Sequence, residues 1–341
     1  MKISLRSMVL AAALIAAAGT SCSSVKNVAL NSVSDMLAGA DKKGRPIPAD
    51  PDANAMLALT GETDVQLVAD FFPTALKLYE ILHLQNPEHA GLAVMSGSLY
   101  VMYANVFVQN AAADIADLDA QLAEYNRAKL FYLRGRDYIL GMFDRKYPGF
   151  EAALRSADEA QYAAALEQLE AEDVNAAYWA GAGWLGAFSV DNYDNDLLHS
   201  CTAAVALLEK AAELEPSYNG GAIWDILSMF YYAAPYDFGG NPERALFCHE
   251  ESMRLSEGLS PGPYVTYAET FCIKDQNLAG YVEALQAALA IDPDDRPETR
   301  LASIISQNKA RKMLTQEYID EHFIIWEDAL PVYEELFGRQ E

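Results

Sequence analysis

Two aromatic clusters are the residues of this sequence best suited to recognition. Tyr178, Trp179 and Trp184 fall within YWAGAGWLGAF (178–188), and Trp224, Phe230, Tyr231 and Tyr232 within GAIWDILSMFYYAAPYDFGG (221–240). Each set carries more aromatic surface than one helix stripe buries, and such side chains dominate ligand pockets and interface anchors alike. All seven are candidates for binding an apolar ligand or a protein partner, with core packing as the alternative for any one of them. Asp225 and Arg134 stand beside them as charges inside strongly apolar helices. A buried charge must be paired, so each marks an ion pair or a polar contact in a cavity.

Covalent and metal chemistry find little support. The sequence contains no HExxH, paired CxxC, Gly-rich phosphate loop or GxSxG elbow. His83, His89, His199, His249 and His322 are scattered without ligand spacing. Cys248, His249, Glu250 and Glu251 are adjacent, but neighbouring helical residues point about 100° apart and do not converge on one ion. His249 reads instead as a packing position. Carboxylate pairs abound among 49 Asp and Glu residues, so they say little about glycoside hydrolysis. The expectation is a protein that is not an enzyme, with no catalytic residue, no cofactor and no metal.

The formal charge is −25, and losing Lys2 and Arg6 with residues 1–21 would move it to −27. A surface so acidic, without basic stretches carrying interleaved aromatics, argues against nucleic acid as a partner. Lys2 and Arg6 precede an apolar run, MVLAAALIAAA (8–18), and then Gly19, Thr20, Ser21 and Cys22. That order is similar to a bacterial lipoprotein signal, with Gly19 standing where Leu is usual, and it implies cleavage after residue 21 and lipid on Cys22. No later stretch reads as long and apolar enough to cross a membrane. Cys201, Cys248 and Cys272 remain, an odd number, expected as three unpaired thiols acting as small apolar residues.

The elements that must position these side chains are helices. Five stretches repeat one signature: Ala75, Tyr79, Leu82, Pro87; Ala128, Tyr132, Gly135; Ala204, Leu208, Ala211, Pro216; Ala245, His249, Ser252; and Tyr281, Leu285, Ala288, Pro293. The spacing of four, three and five is that of the second helix of a tetratricopeptide repeat, whose helix pairs bury their apolar faces only by stacking on neighbours. The fold class is therefore all-α, an irregular solenoid of tetratricopeptide-like hairpins with capping helices. Irregularity is expected because Gly97 and Ala128 lie 31 residues apart, too far for a regular repeat. Residues 22–62 read as a tether and lead-in. Within them SSVKNVALNSVSDMLAG forms a short helix and DKKGRPIPADPDAN (41–54) an extended connection. The repeat domain spans 63–341, with Thr63 or Asp64 as the first N-cap and two capping helices within 298–341. Ala90–Phe107 is apolar on nearly all sides and is expected between neighbours.

Several segments also point to a family: NPEHAGL from Asn86, GSLYVMYANVFVQ from Gly97, RAKLFYLRGRDYIL from Arg127, YWAGAGWLGAF, LLEKAAELEPSYNGGAIWD from Leu207, GGNPERAL from Gly239 and PYVTYAE from Pro263. Their order resembles the T component associated with tripartite ATP-independent periplasmic (TRAP) transporters, over about residues 25–315. The resemblance implies a lipid-anchored protein of the periplasm that binds the transporter's extracytoplasmic solute-binding subunit. It further implies a ring-like homo-oligomer, such as a trimer, with an internal passage, and hydrophobic or amphipathic small ligands. The other readings of the residues themselves are a lipoprotein that binds glycans or peptides on a helical-repeat scaffold, and an (α/α) toroid hydrolase.

Overall fold

A computed structural model describes residues 23–45, 57–156 and 158–338. The targeting segment, Cys22 and most of the connection after Asp41 lie outside the described residues. Helices make up the fold, and no strand occurs among the described residues. The main helices are α1 (Ser23–Ala38), α2 (Val65–Gln85), α3 (Ala90–Tyr103), α4 (Leu118–Lys146), α5 (Val174–Val190), α6 (Asn195–Leu214) and α7 (Ala222–Ala233). They continue with α8 (Pro242–Leu255), α9 (Pro261–Thr266), α10 (Leu278–Ala290), α11 (Arg300–Met313), α12 (Gln316–His322) and α13 (Leu330–Phe337).

Local chemistry sets the boundaries. Asp64 caps α2, its carboxylate accepting from the Leu67 N–H at 3.0 Å. Pro87 excludes helical geometry from the residue before it, and Asn86 leaves the helix at φ −138° and ψ 65°. Asp117, Asp194, Asn241 and Asn277 cap α4, α6, α8 and α10 in the same way, with Pro242 at the first position of α8. One-turn π segments, Ala104–Gln109 and Tyr267–Cys272, extend α3 and α9.

Helix α3 is the centre of the first half, packed by α2, α4 and α5. Its crossing with α4 is close because both sides lack a side chain. A Cβ on Gly97 would stand 2.6 Å from Ile139 Cγ1 and 2.7 Å from the Gly135 carbonyl oxygen. One on Gly186 of α5 would strike the Tyr132 ring at 2.5 Å. The sequence expectation about membrane-length segments needs correction here. The π turn joins α3 to the helix after it, so Ala90–Ala112 runs for 23 residues and is long and apolar enough to cross a bilayer. That window is 67% buried inside the protein, and its all-round apolarity follows from helices covering several sides rather than one.

Helices α5 to α8 continue as two packed hairpins, α5 with α6 and α7 with α8. A second core then gathers Ala268, Leu278, Tyr281, Leu285, Ile319 and Phe323 from α9 onward. Three helices follow Arg300 where two caps are expected. The segment after His322 leaves helical geometry because Phe323, at φ −120° and ψ 141°, turns into the core against the edge of Tyr281, 4.9 Å between ring centres. Helix α11 packs on α10 and also returns to the start of the domain. The Arg300 guanidinium donates to the Gly61 carbonyl at 3.0 Å, Leu301 packs beside Val68 and Phe72, and Lys312 pairs with Asp114. The chain thus closes head to tail.

Candidate functional site

The first aromatic cluster sits where α5 meets the turn before α7. Tyr178 and Trp179 are both half-buried, with ring centres 5.0 Å apart and planes at 74°. Tyr218 completes the group, 5.2 Å from Tyr178, and its hydroxyl donates to Asn175 Oδ1 at 2.7 Å. Trp179 hydrogen-bonds the same Tyr218 hydroxyl, while burial holds both phenols well above their ordinary pKa. Trp184, one turn and a half along α5, has no exposed surface. Its indole N–H donates to Ser200 Oγ at 2.9 Å, and the Arg136 guanidinium covers its ring at 4.8 Å.

The second cluster divides in the same manner. Trp224 is half-buried, its indole N–H donating to the Pro216 carbonyl at 2.8 Å and its ring edge-on to the exposed Phe247. Tyr231 keeps some exposure and donates to Glu209 Oε1 at 2.7 Å, a carboxylate that Arg244 also holds at 3.2 Å. Phe230 and Tyr232 are buried. Tyr232 stacks on Phe271 at 4.1 Å, its hydroxyl bonds Asp275, and Lys274 donates to its carbonyl at 2.6 Å. Core packing accounts for Trp184, Phe230 and Tyr232, whereas Tyr178, Trp179, Trp224 and Tyr231 retain surface that another molecule can touch.

Asp225 lies between these groups, with no cation beside it among the described residues. Thr266 Oγ1 donates to its Oδ2 at 3.1 Å, and its Oδ1, which has no exposed surface, has no hydrogen-bond partner. Burial pushes its carboxyl up to about 6, against which the Thr266 hydroxyl works only in part. Its charge in turn raises the Tyr178 phenol further. Arg134 is paired, donating to the Tyr100 hydroxyl at 3.2 Å and lying 3.4 Å from Glu80. Cys201, Cys248 and Cys272 are free and buried, as the odd count suggests, with burial pushing the last two thiols up to about 11. His249 packs face to face with Tyr267 at 4.9 Å.

Residues 61–320 match the family described as TRAP transporter T-component. The chain belongs to that family. An uncharacterized protein of Treponema pallidum (strain Nichols) is 43% identical over 262 residues, which is 76% of this chain and 81% of that one. The matched span of this T-component runs from the carbonyl that receives Arg300 into α12, and includes both aromatic clusters. It gives the T-component a role associated with TRAP transporters. Tyr218 and Thr266 escaped the sequence reasoning. Tyr218 lies in a turn, EPSYNGG, outside any apolar stripe, and Thr266 reaches Asp225 from 41 positions away. A composition scan of helices detects neither.

Proposed function

We propose that this protein is a lipid-tethered adaptor of the periplasm. It binds the extracytoplasmic solute-binding subunit of a TRAP transporter and assists capture or transfer of a hydrophobic or amphipathic small ligand. Membership of the T-component family is the observation that carries this reading. Three features support it. Exposed apolar residues Leu67, Phe71, Leu78 and Ile81 recur along α2 at helical spacing, each 45–57% exposed, and such patches mark protein contacts. Head-to-tail closure gives the helices an inside and an outside, as a passage within a homo-oligomer would need. Tyr178, Trp179, Trp224 and Tyr231 offer apolar contact with polar handles, the chemistry of amphipathic ligands. The adaptor performs no covalent step, and Cys22 supplies the anchor.

Co-purification of the native protein with a TRAP solute-binding subunit from the same organism tests this directly. Association at micromolar concentration is expected, and Leu78→Asp with Ile81→Asp should weaken it at least tenfold without altering the circular dichroism spectrum. A purified pair that shows no association at that concentration would sink the adaptor role.

A further inference from the structure

The turn between α2 and α3 reads NPEHAGL, and nearly every residue in it meets the N-terminal segment. The Asn86 amide donates to Asn31 Oδ1 of α1 at 2.8 Å. His89 has no exposed surface and serves two elements at once. Its Nδ1 accepts from the Leu92 N–H at 3.1 Å, capping α3. The other ring nitrogen therefore carries the hydrogen, and it donates to Asp35 Oδ1 of α1 at 2.8 Å. The Ala90 N–H donates to the Lys42 carbonyl at 3.1 Å. A Cβ on Gly91 would stand 2.9 Å from Ala40 Cβ and 3.0 Å from its carbonyl oxygen, so glycine lets the chain pass here. Leu92 is fully buried, in an apolar cluster with Leu37, Ala38 and Leu82. Tyr79 closes the group from α2, its hydroxyl donating to the Leu37 carbonyl at 2.7 Å.

The arm from residue 30 to residue 42 is thus fastened to the domain. Its buried bonds contribute more than the exposed pair of Lys42 with Glu88 at 3.5 Å, which can be removed at little loss. The segment also differs in charge. Residues 23–45 carry four Lys and Arg against two Asp, in a protein of net charge −25. Lys42, Lys43 and Arg45 are exposed, and Lys42 shares one rim with Leu30, Asn31 and residues 85–88.

We infer that this edge, formed by α1, the turn at residues 85–88 and the loop carrying Lys42 and Lys43, faces a lipid bilayer and holds the domain there in one orientation. The inference rests on the proposed lipid at Cys22 and adds what that anchor does to the domain. Helix α1 begins at Ser23, so an anchored Cys22 leaves no slack before the docked arm. At 1.5 Å per residue, Leu30 stands about 10 Å from Ser23 along the helix axis. A flexible leash from residue 22 to residue 62 would instead span about 35 Å and let the domain turn freely. Docking confines the edge to the head-group region. Anionic head groups attract the exposed Lys42 and Lys43 and repel the acidic remainder of the surface.

Two measurements separate the anchor from the orientation. In Cys22→Ser, purified in solution, residues 30–38 should be protected from hydrogen exchange. Asn31→Ala with Asp35→Ala should speed their exchange at least tenfold; both changes lie on the arm, so the circular dichroism spectrum should hold. The native lipidated protein is then bound to vesicles of phosphatidylethanolamine and phosphatidylglycerol carrying nitroxide on their head groups. A fluorophore is placed on Glu88→Cys, the thiols of Cys201, Cys248 and Cys272 being buried. Strong quenching is expected, falling at least threefold when a flexible Gly-Ser segment is inserted after Ser24, with residues 30–38 still protected. Equal quenching with and without the insertion, or rapid exchange of residues 30–38 in the uninserted protein, would overturn the fixed orientation and leave the anchor standing. Native protein that binds the vesicles no better than Cys22→Ser would remove the anchor, and the orientation with it.

Discussion

Asp225 is a carboxylate in a setting that disfavours its charge. Burial pushes its carboxyl up to about 6 from an ordinary 3.8, and the single hydroxyl of Thr266 offsets only part of this. The sign of the effect on stability follows. Below about pH 4 the group is protonated folded and unfolded, and nothing is lost. As pH rises through 6, the native state must hold a charge that the unfolded chain solvates freely, so stability falls. Asp225→Asn should flatten this part of the profile and gain on the order of 1–3 kcal/mol at pH 7 relative to the parent. Urea unfolding of the two proteins at pH 4 and pH 7 checks this, and parallel profiles would refute it. The tryptophans of α5 divide along a related line. Trp184→Ala should cost about 3–5 kcal/mol by removing a fully enclosed indole. Trp179→Ala should cost under about 2 kcal/mol, since half-burial returns less on folding. Its effect should fall on ligand or partner binding instead.

At the scale of elements, the decisive contact is the crossing of α3 and α4. Neither helix carries a strong apolar stripe at this point, and the pairing is set by what is missing. Gly97 and Gly135 each occupy the space a Cβ on the other would need, with carbonyl oxygens at 2.7 and 2.6 Å. Gly97→Ala should therefore destabilise by about 1–3 kcal/mol through overpacking. Gly141, on the same helix α4, meets nothing closer than 3.8 Å from Arg145. Gly141→Ala should be neutral or stabilising by up to about 1 kcal/mol, from helix propensity alone. Thermal melts of the two variants give opposite signs if close approach, rather than the glycine content of the segment, governs the crossing.

At the scale of the whole molecule, the closing helix α11 determines whether the hairpins end freely or meet. Its links to the first hairpin are few: the Arg300 bond to Gly61, Leu301 against Val68 and Phe72, and Lys312 with Asp114. An exposed ion pair contributes about 0–1 kcal/mol, so Leu301 and the Arg300 hydrogen bond must hold most of the seam. Arg300→Ala with Leu301→Ala should speed amide exchange in 57–61 and 300–313 while leaving α5 and α6 protected. Uniformly faster exchange across the molecule would show that the seam is not a separate unit.

Much of this architecture was legible beforehand for reasons that act locally. Asp64 caps α2 and Pro87 ends it through contacts within a few residues, so their types alone decide the boundary. The three thiols are buried because each occupies an apolar helical position. Ala90–Ala112 shows where this logic stops: its membrane-like length depends on a π turn that joins two helices, and its burial on three neighbours. The split of the seven aromatics was equally hidden. Trp179 and Trp184 lie five residues apart on one helix, and only the positions of α4, with Arg136 over the ring, and of α6, with Ser200 on the indole N–H, make the second a core residue.

By itself, the sequence determined the all-helical class, several helix ends such as those at Asp64 and Pro87, the small-residue crossings and the family to which the chain belongs. These depend on periodicity, capping and proline geometry, all read within one or two turns. Tertiary structure alone decided that the chain closes and that Asp225, among the described residues, has a hydroxyl rather than a cation for company. Those features rest on residues brought together from 41 to 239 positions apart, across distances over which no local rule acts.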